Sequence, residues 1–137
     1  MAQVSFYVID NSALSIELLA CRLCRRVAIG AQTPLFVCFD DPQAMQAFDQ
    51  LLWQFEPDSF VPHAIDDLGA PVCLGLEVPQ GFDGCCLNLG LDAINHPALE
   101  RVLEIIGMDD AAKQHGRLRF KAYRQQGLSP DTHHVKT

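Results

Sequence analysis

Two short runs of apolar residues, each followed by a segment with helical periodicity, constrain the fold more than any other feature of the sequence. Residues 4–10 (VSFYVID) and 35–39 (LFVCF) show little polar alternation, which is typical of strands buried on both faces of a sheet. The apolar residues that share one helical face after the first run are Leu14, Leu18, Cys21 and Val27. An order of strand, helix, strand, helix predicts parallel strands joined by right-handed crossovers.

Residues at the ends of both helices support this assignment. Asn11 or Ser12 can cap the first helix, and Gly30 can stop it. Asp41 directly precedes Pro42, which predicts a capping carboxylate followed by a proline in the first turn of the second helix. The apolar residues that recur at helical spacing in this second helix are Met45, Phe48, Leu52 and Phe55.

The second half of the chain has a different pattern, because turns too short to hold helices separate its apolar runs. The predicted strands are residues 60–65, 70–78 and 84–91. Residues 96–107 fit either a helix or a strand. A last helix is predicted over residues 109–126, ended by Gly127, and residues 128–137 are expected to form a flexible tail. The sequence therefore predicts one α/β domain over residues 1–127, with a mixed, mostly parallel sheet.

Composition places the chain among globular proteins. Of its 137 residues, 49% are hydrophobic and 20% are charged, which is enough apolar content for a core that needs no metal or disulfide. No apolar run reaches the roughly 18–20 residues of a membrane helix. The six cysteines fit a reducing compartment, where they behave as small hydrophobes. We expect a cytoplasmic protein without a membrane partner.

Candidate catalytic features lack the partners that they need. The CxxC of Cys21 and Cys24 lies within a helix and not at its start, where the helix dipole would lower a thiol pKa, and no second ligand pair completes a zinc site. Asp10 ends the first strand, where α/β folds bind ligands, but Ser12 stands where phosphate-transferring enzymes have a second aspartate. No glycine-rich nucleotide loop is present. We expect no catalytic residue, metal or cofactor; the alternative is a nucleotide- or phosphate-dependent enzyme acting near Asp10.

Positive charge is concentrated in one segment near the end of the chain. Five of the ten Lys and Arg residues lie between residues 111 and 126, a window without Asp or Glu. At 100° per residue, four of these cations share one helical face, bordered by Phe120 and Tyr123. The four are Lys113, Arg117, Lys121 and Arg124.

Such a face suits a peptide that ends in an apolar residue and a carboxylate, because arginine pairs with a carboxylate through two parallel hydrogen bonds. One alternative is a solvated helix face with no partner. Direct binding of nucleic acid by this helix is a weaker alternative, because the net charge is −7 and the chain has only one tryptophan.

Three stretches of the sequence resemble one known family. Residues 51–65 (LLWQFEPDSFVPHAI) with Gly-Ala-Pro-Val at 69–72, residues 117–127 (RLRFKAYRQQG) and the opening FYVID are similar to the DNA polymerase III chi subunit family. The resemblance covers nearly the whole chain. It implies a Rossmann-like three-layer fold without a nucleotide-binding glycine loop, a strand at residues 100–106, and a non-catalytic accessory of the clamp-loader assembly.

The resemblance also implies two partner sites. One binds the acidic C-terminal tail of single-stranded DNA-binding protein, which ends in a phenylalanine with a free carboxylate. Carried over by motif, this tail site involves Trp53, Ile106, Lys113, Arg117 and Phe120, with Phe120 where the family commonly has tyrosine. Lys121 and Arg124 are added to the predicted site because they share the cationic face of the helix. The psi subunit of the clamp loader is expected at Phe60, Val61, Pro62 and His63, where a helicase-like protein can compete. Nucleic acid is then contacted mainly through these partners.

Overall fold

The structure, a computed structural model, describes residues 2–55 and 60–136. Residues 56–59, which belong to the stretch that resembles the chi family, lie outside the described residues. In chain order, the elements are β1 (Gln3–Ile9), α1 (Ile16–Cys24) with a π-helical extension (Arg25–Gly30), β2 (Leu35–Cys38), α2 (Pro42–Gln54), β3 (His63–Ile65), β4 (Val72–Gly75), β5 (Cys85–Asn88), β6 (Arg101–Ile106), α3 (Asp110–Gln125) and β7 (Asp131–Val135).

In the part of the chain that the structure describes, seven strands form one open sheet in the order β3-β4-β2-β5-β6-β1-β7. Every neighbouring pair is parallel, so the α/β class is confirmed but the sheet is not mixed. The predicted mixed sheet rested on the short links between the strands in the second half of the chain, which leave no room for crossover helices. Strands β3, β4 and β5 have only three or four residues, so links of moderate length can return the chain to the starting edge without a helix.

The helices cover the two faces of the sheet in three layers, as the predicted Rossmann-like fold requires. Leu19 of α1 and Phe48 of α2 belong to the core on one face, together with Cys85. Tyr123 of α3 belongs to the core on the other face, together with Cys86. Adjacent residues of β5 thus point to opposite layers, because side chains alternate along a strand.

Capping residues set where the two N-terminal helices begin. Asp41 accepts a hydrogen bond from the Gln43 amide at 3.0 Å and Pro42 follows it, as predicted for α2. The cap of α1 is Ser15, whose Oγ accepts from the Leu18 amide at 3.0 Å, and neither Asn11 nor Ser12. Asn11 instead accepts from the Ala13 amide at 2.9 Å, which forms a turn between β1 and the helix.

Residues 131–135 differ from the expected flexible tail. They form β7, which pairs in parallel with β1 from Ser5↔Asp131 to Ile9↔Val135. The outer edge of β1 would otherwise expose unpaired backbone groups, which an added strand satisfies. Within the described ranges, no helix combines the length and the apolar character needed to cross a bilayer.

Candidate functional site

The basic helix α3 has defined ends. The Asp109 carboxylate accepts a hydrogen bond from the Ala112 amide at 2.7 Å and caps the N-terminus. At the other end Gly127 has φ +86°, a left-handed conformation that glycine adopts without strain. The Leu128 amide then donates to the Tyr123 carbonyl at 3.1 Å and closes the helix. The predicted helix over residues 109–126 is therefore confirmed within one residue at each end.

A glycine lets α3 approach the sheet closely. A Cβ atom built on Gly116 would lie 2.6 Å from Cδ1 of Ile106, nearer than a methyl group can approach. Gly116 is buried, and Ile106 is partly buried against the same core cluster as Phe120. Ile106 is therefore mainly a packing residue beneath α3.

A buried ion pair fixes α3 to the centre of the sheet. Glu104 of β6 is 0% exposed and accepts from Nε of Arg119, which is 7% exposed, at 2.8 Å. The second carboxylate oxygen of Glu104 accepts from Nδ2 of Asn88 at 2.8 Å and from the Tyr123 hydroxyl. Arg119 also donates to the Ile105 carbonyl at 3.3 Å. Each of the four side chains in this network therefore has a hydrogen-bond partner, which is the condition for burying charged and polar groups.

Burial also changes the protonation equilibria of this network. Loss of solvent raises the pKa of the Glu104 carboxyl above its usual range, and the Arg119 guanidinium with the hydrogen bonds from Tyr123 and Asn88 opposes that rise. Burial, with the nearby Glu104 charge, also raises the pKa of the Tyr123 hydroxyl. One of the five cations of the basic segment, Arg119, thus has a structural role. Tyr123, expected at the border of the cationic face, is part of the core instead.

The other cations of α3 point to solvent. An open depression of about 520 Å³ on the outer face of the helix is lined by Arg117, Phe120, Lys121, Arg124 and Gln125; these five residues are called the α3 depression below. Among the residues that the structure describes, the cations of the α3 depression form no ion pair with a carboxylate of the chain. Lys113 is also exposed and lies one helical turn before Arg117.

Phe120 provides the apolar part of the α3 depression. Its ring centroid lies 5.2 Å from that of Phe6 in the core, and the residue is only partly buried. One side of the ring therefore packs on the sheet while the rest lines the depression. The structure brings four of the predicted tail-site residues together here: Arg117, Phe120, Lys121 and Arg124.

Trp53 does not join that group. It belongs to α2, on the opposite face of the sheet from α3, and its ring centroid lies 5.3 Å from that of Phe60 and 4.3 Å from that of His63. Trp53 is 47% exposed and Phe60 is 64% exposed, which is unusual for rings of this size. Trp53 thus belongs spatially with the residues predicted to bind psi and is separate from those predicted to bind the tail.

Only part of the predicted psi stretch is at the surface. Phe60 is exposed and Pro62 is half-buried, whereas Val61 is in the core. His63 is buried under the Trp53 ring, with Nδ1 2.7 Å from the Val61 carbonyl and Nε2 3.2 Å from Oδ1 of Asp49. The exposed Trp53 and Phe60, together with the half-buried Pro62, are called the Trp53–Phe60 surface below. The neighbouring residues 56–59 lie outside the described part of the chain.

Asp10 and the CxxC of Cys21 and Cys24, the two candidate catalytic features of the sequence, have surroundings that do not favour catalysis. The Asp10 carboxylate contacts Nδ1 of His134 at 2.8 Å. A cavity of about 380 Å³ at the carboxyl ends of β2, β5 and β6 is not lined by Asp10. Cys21 and Cys24 are buried free thiols, and burial raises the pKa of Cys21 to about 12. Among residues 2–55 and 60–136, no three His, Cys, Asp or Glu side chains are grouped to hold a metal ion.

Sequence comparisons agree with the architecture. The family model described as DNA polymerase III chi subunit, HolC, matches residues 1–131. The DNA polymerase III subunit chi of Pseudomonas aeruginosa is 34% identical over 140 residues, covering 98% of both chains. The subunit chi of Escherichia coli is 28% identical and covers 96% of this chain and 97% of its own, and that of Haemophilus influenzae is 28% identical over 95% of each. The chain therefore belongs to the DNA polymerase III chi subunit family.

Proposed function

We propose that the chain is a non-catalytic accessory subunit of the bacterial replicative DNA polymerase III holoenzyme, acting in the cytoplasm. It links the clamp loader, through the psi subunit, to single-stranded DNA-binding protein. Membership of the chi family supports its place in the holoenzyme. The α3 depression supports the contact with the tail, and the Trp53–Phe60 surface supports the contact with psi.

The observation that carries the tail contact is the α3 depression. Arg117, Lys121 and Arg124 surround the exposed part of the Phe120 ring, and none of these cations is paired with a carboxylate among the described residues. A peptide that ends in phenylalanine offers a ring for Phe120 and a terminal carboxylate for a guanidinium, which binds it through two parallel hydrogen bonds. Acidic residues upstream in the peptide then meet Lys121 and Lys113 as looser, salt-sensitive contacts.

The Trp53–Phe60 surface supports the contact with psi. Exposed aromatic side chains that pack against each other are typical of interface hot spots, because they bury large apolar area when a partner covers them. His63 supports the Trp53 ring from beneath and is itself held by Val61 and Asp49. A helicase-like protein that offers a similar apolar segment would compete with psi here.

A pull-down tests the proposed link directly. Immobilised full-length single-stranded DNA-binding protein should retain the chain, and the same protein without its last few residues should not. Retention should decrease as salt rises but should not vanish, because the terminal ring remains buried. Equal retention by the two forms would contradict a tail-binding site. Thermal stabilisation by a nucleotide, with none from the tail peptide, would instead favour an enzyme.

A further inference from the structure

The five cations outside α3 also lie together in space. They are Arg22, Arg25, Arg26, Arg101 and Lys136. Although they come from three distant parts of the sequence, they line two adjoining depressions that share Arg22 and Arg26. The chain therefore presents its positive charge at two places, on α3 and beside α1. The sequence pattern indicated only the cluster on α3.

One of these depressions lies between α1 and the edge strand β7. It measures about 440 Å³ and is lined by Arg22 and Arg26 from the α1 side, Arg101 from β6, and Lys136 after β7; this is called the α1–β7 pocket below. None of the described residues that line it is Asp or Glu. Arg22, Arg26 and Lys136 are exposed, so a ligand can reach them from solvent.

The guanidinium of Arg101 is held in a fixed position. Its Nη2 donates to Oγ of Ser5 at 3.1 Å and is 3.4 Å from the Tyr7 hydroxyl. Its Nε is buried and has no hydrogen-bond acceptor among the described residues. Ser5 and Tyr7 orient this arginine through neutral hydroxyl groups, and its charge also interacts with the nearby Asp131 carboxylate. Among the described residues the guanidinium forms no direct ion pair, so it can still attract an anion.

Two carboxylates near the α1–β7 pocket, those of Asp10 and Asp131, contact histidine side chains. Oδ2 of Asp10 contacts Nδ1 of His134 at 2.8 Å, and Oδ1 of Asp131 lies 3.4 Å from Nε2 of His133. Both carboxylates remain outside the lining of the α1–β7 pocket. They reduce the local positive charge but do not cover the arginines.

An aromatic stack borders the cations. The rings of Tyr7 and His133 are stacked, with centroids 5.3 Å apart and an interplanar angle of 25°. The side chain of His133 is 51% exposed, so the ring has area free for a further planar group. Proteins that bind single-stranded nucleic acids commonly place aromatic rings beside arginines, so that bases stack on the rings and phosphates pair with the cations.

We propose that the α1–β7 pocket binds the phosphate groups of single-stranded nucleic acid, with a base stacked on His133. An acidic peptide is a poorer match, because Leu19 and Leu23 in the lining are buried and offer no counterpart to the exposed Phe120 ring of α3. Guanidinium groups on both α1 and β6 can pair with successive phosphates, whereas a peptide terminus offers one carboxylate.

Fluorescence anisotropy with a labelled oligothymidylate at low salt tests this proposal. The wild-type chain should bind, and Arg22→Glu/Arg26→Glu should weaken binding at least about tenfold. Arg117→Glu/Arg124→Glu is the matched control, since it changes the net charge by the same amount on the opposite face of the sheet. It should change the affinity by no more than about twofold. His133→Ala should give a smaller loss than the double α1 variant.

Each other outcome has a defined meaning. Absence of wild-type binding at low salt, or equal losses in the two double variants, would overturn the proposal. Release of the oligonucleotide by an acidic peptide at equal charge concentration would assign the pocket to a protein partner instead. Full competition by inorganic phosphate or thymidine monophosphate would indicate a site for small phosphates and not for a strand. Circular dichroism checks that both double variants are folded.

Discussion

Arg117 and Arg119 are the same residue type two positions apart, yet one is exposed and the other is buried. The difference follows from helix geometry, because two residues turn the side chain by about 200° around the axis. Arg119 meets Glu104 on the sheet, whereas Arg117 lines the α3 depression. A cluster of basic residues is therefore not a single functional unit: at residue scale it divides into one anchor and a set of solvent-facing charges.

Replacing Arg117 tests the solvent-facing set. Arg117→Ala should weaken binding of a labelled tail peptide of single-stranded DNA-binding protein by about 1–3 kcal/mol, because a charge-assisted pair with the terminal carboxylate is lost. Fluorescence anisotropy measures the affinity. Arg22→Ala, which removes an exposed arginine on the other side of the sheet, is the control and should bind as the wild type does. Unchanged affinity in a folded Arg117→Ala variant would remove Arg117 from the site.

Replacing Glu104 tests the anchor. Glu104→Gln should reduce the free energy of unfolding by about 3–5 kcal/mol, since the buried Arg119 guanidinium loses its counter-charge. Urea denaturation measures the change. Exposed Glu100→Gln is the control, and the double variant Glu104→Gln/Arg119→Gln should recover part of the loss because no buried charge remains. If the single variant has wild-type stability, the ion pair does not fix α3.

The buried thiols predict a pH effect. Burial raises the pKa of Cys38 to about 11 and of Cys21 and Cys85 to about 12. In the unfolded chain these thiols ionise near pH 8.5, so above that pH the unfolded state loses protons that the native state keeps. Stability should thus be complete below about pH 8.5 and should fall as pH rises towards the folded pKa values.

Denaturation midpoints at several pH values, with and without Cys38→Ala/Cys85→Ala, would measure this effect. The substituted chain should lose less stability on going to alkaline pH. In parallel, a thiol reagent at neutral pH should react slowly with the native chain and rapidly with all six cysteines after unfolding. Rapid reaction of the native CxxC would contradict the buried positions of Cys21 and Cys24.

At the scale of elements, the sequence predicted best where local chemistry decides. Asp41 and Pro42 begin α2, Gly127 ends α3, and the apolar runs became β1 and β2. The start of the first helix was predicted too close to β1, because Asn11, Ser12 and Ser15 can all act as N-caps. The path of the chain after β1 decides which of the three is used.

Features that depend on distant residues could not be predicted in this way. Strand β7 exists because β1 offers an edge, and Trp53 meets Phe60 because α2 packs against β3. Two signals for the α3 anchor were nevertheless present in the sequence. Glu104 interrupts an apolar run and so needs a buried partner, and Arg119 falls about 240° from Lys113, away from the cationic face.

Removing β7 tests its contribution as an element. A chain ending at Ser129 should still fold but should lose about 1–3 kcal/mol of stability, since one partly buried apolar side chain, Val135, leaves the core. Hydrogen exchange should accelerate at the Asp10 amide, which donates to the Val135 carbonyl, and remain slow at the Gln3 amide, which donates to the Glu100 carbonyl.

A chain lacking only Lys136 and Thr137 is the control for this truncation and should keep both amides protected. If the chain ending at Ser129 has an unchanged exchange rate at Asp10, then residues 131–135 do not pair with β1 in solution. Global unfolding of the truncated chain would instead show that β7 is indispensable to the fold.

At the scale of the whole molecule, the three proposed partner surfaces occupy different places on the sheet. The α3 depression is on one face of the sheet, and the Trp53–Phe60 surface is on the other face at the β3 edge. The α1–β7 pocket lies on the face covered by α1, at the opposite edge. Each surface is built from a different helix, so changes at one should leave the others intact.

Phe60→Ala tests this independence. The variant should lose co-purification with psi, because truncating a hot-spot ring costs about 2 kcal/mol or more, and it should bind the tail peptide as the wild type does. Leu118→Ala, which removes an exposed apolar residue elsewhere, is the control and should retain psi. Loss of both activities in Phe60→Ala would indicate damage to the fold and would contradict a separate psi surface.

The rigid layer of strands between α2 and α3 has a consequence for assembly. A ligand seated against one outer layer cannot collide with a ligand on the far side, and neither needs the protein to change shape. Occupancy of one side should therefore leave the affinity of the other unaltered, so that ternary complexes accumulate as the simple product of two separate equilibria.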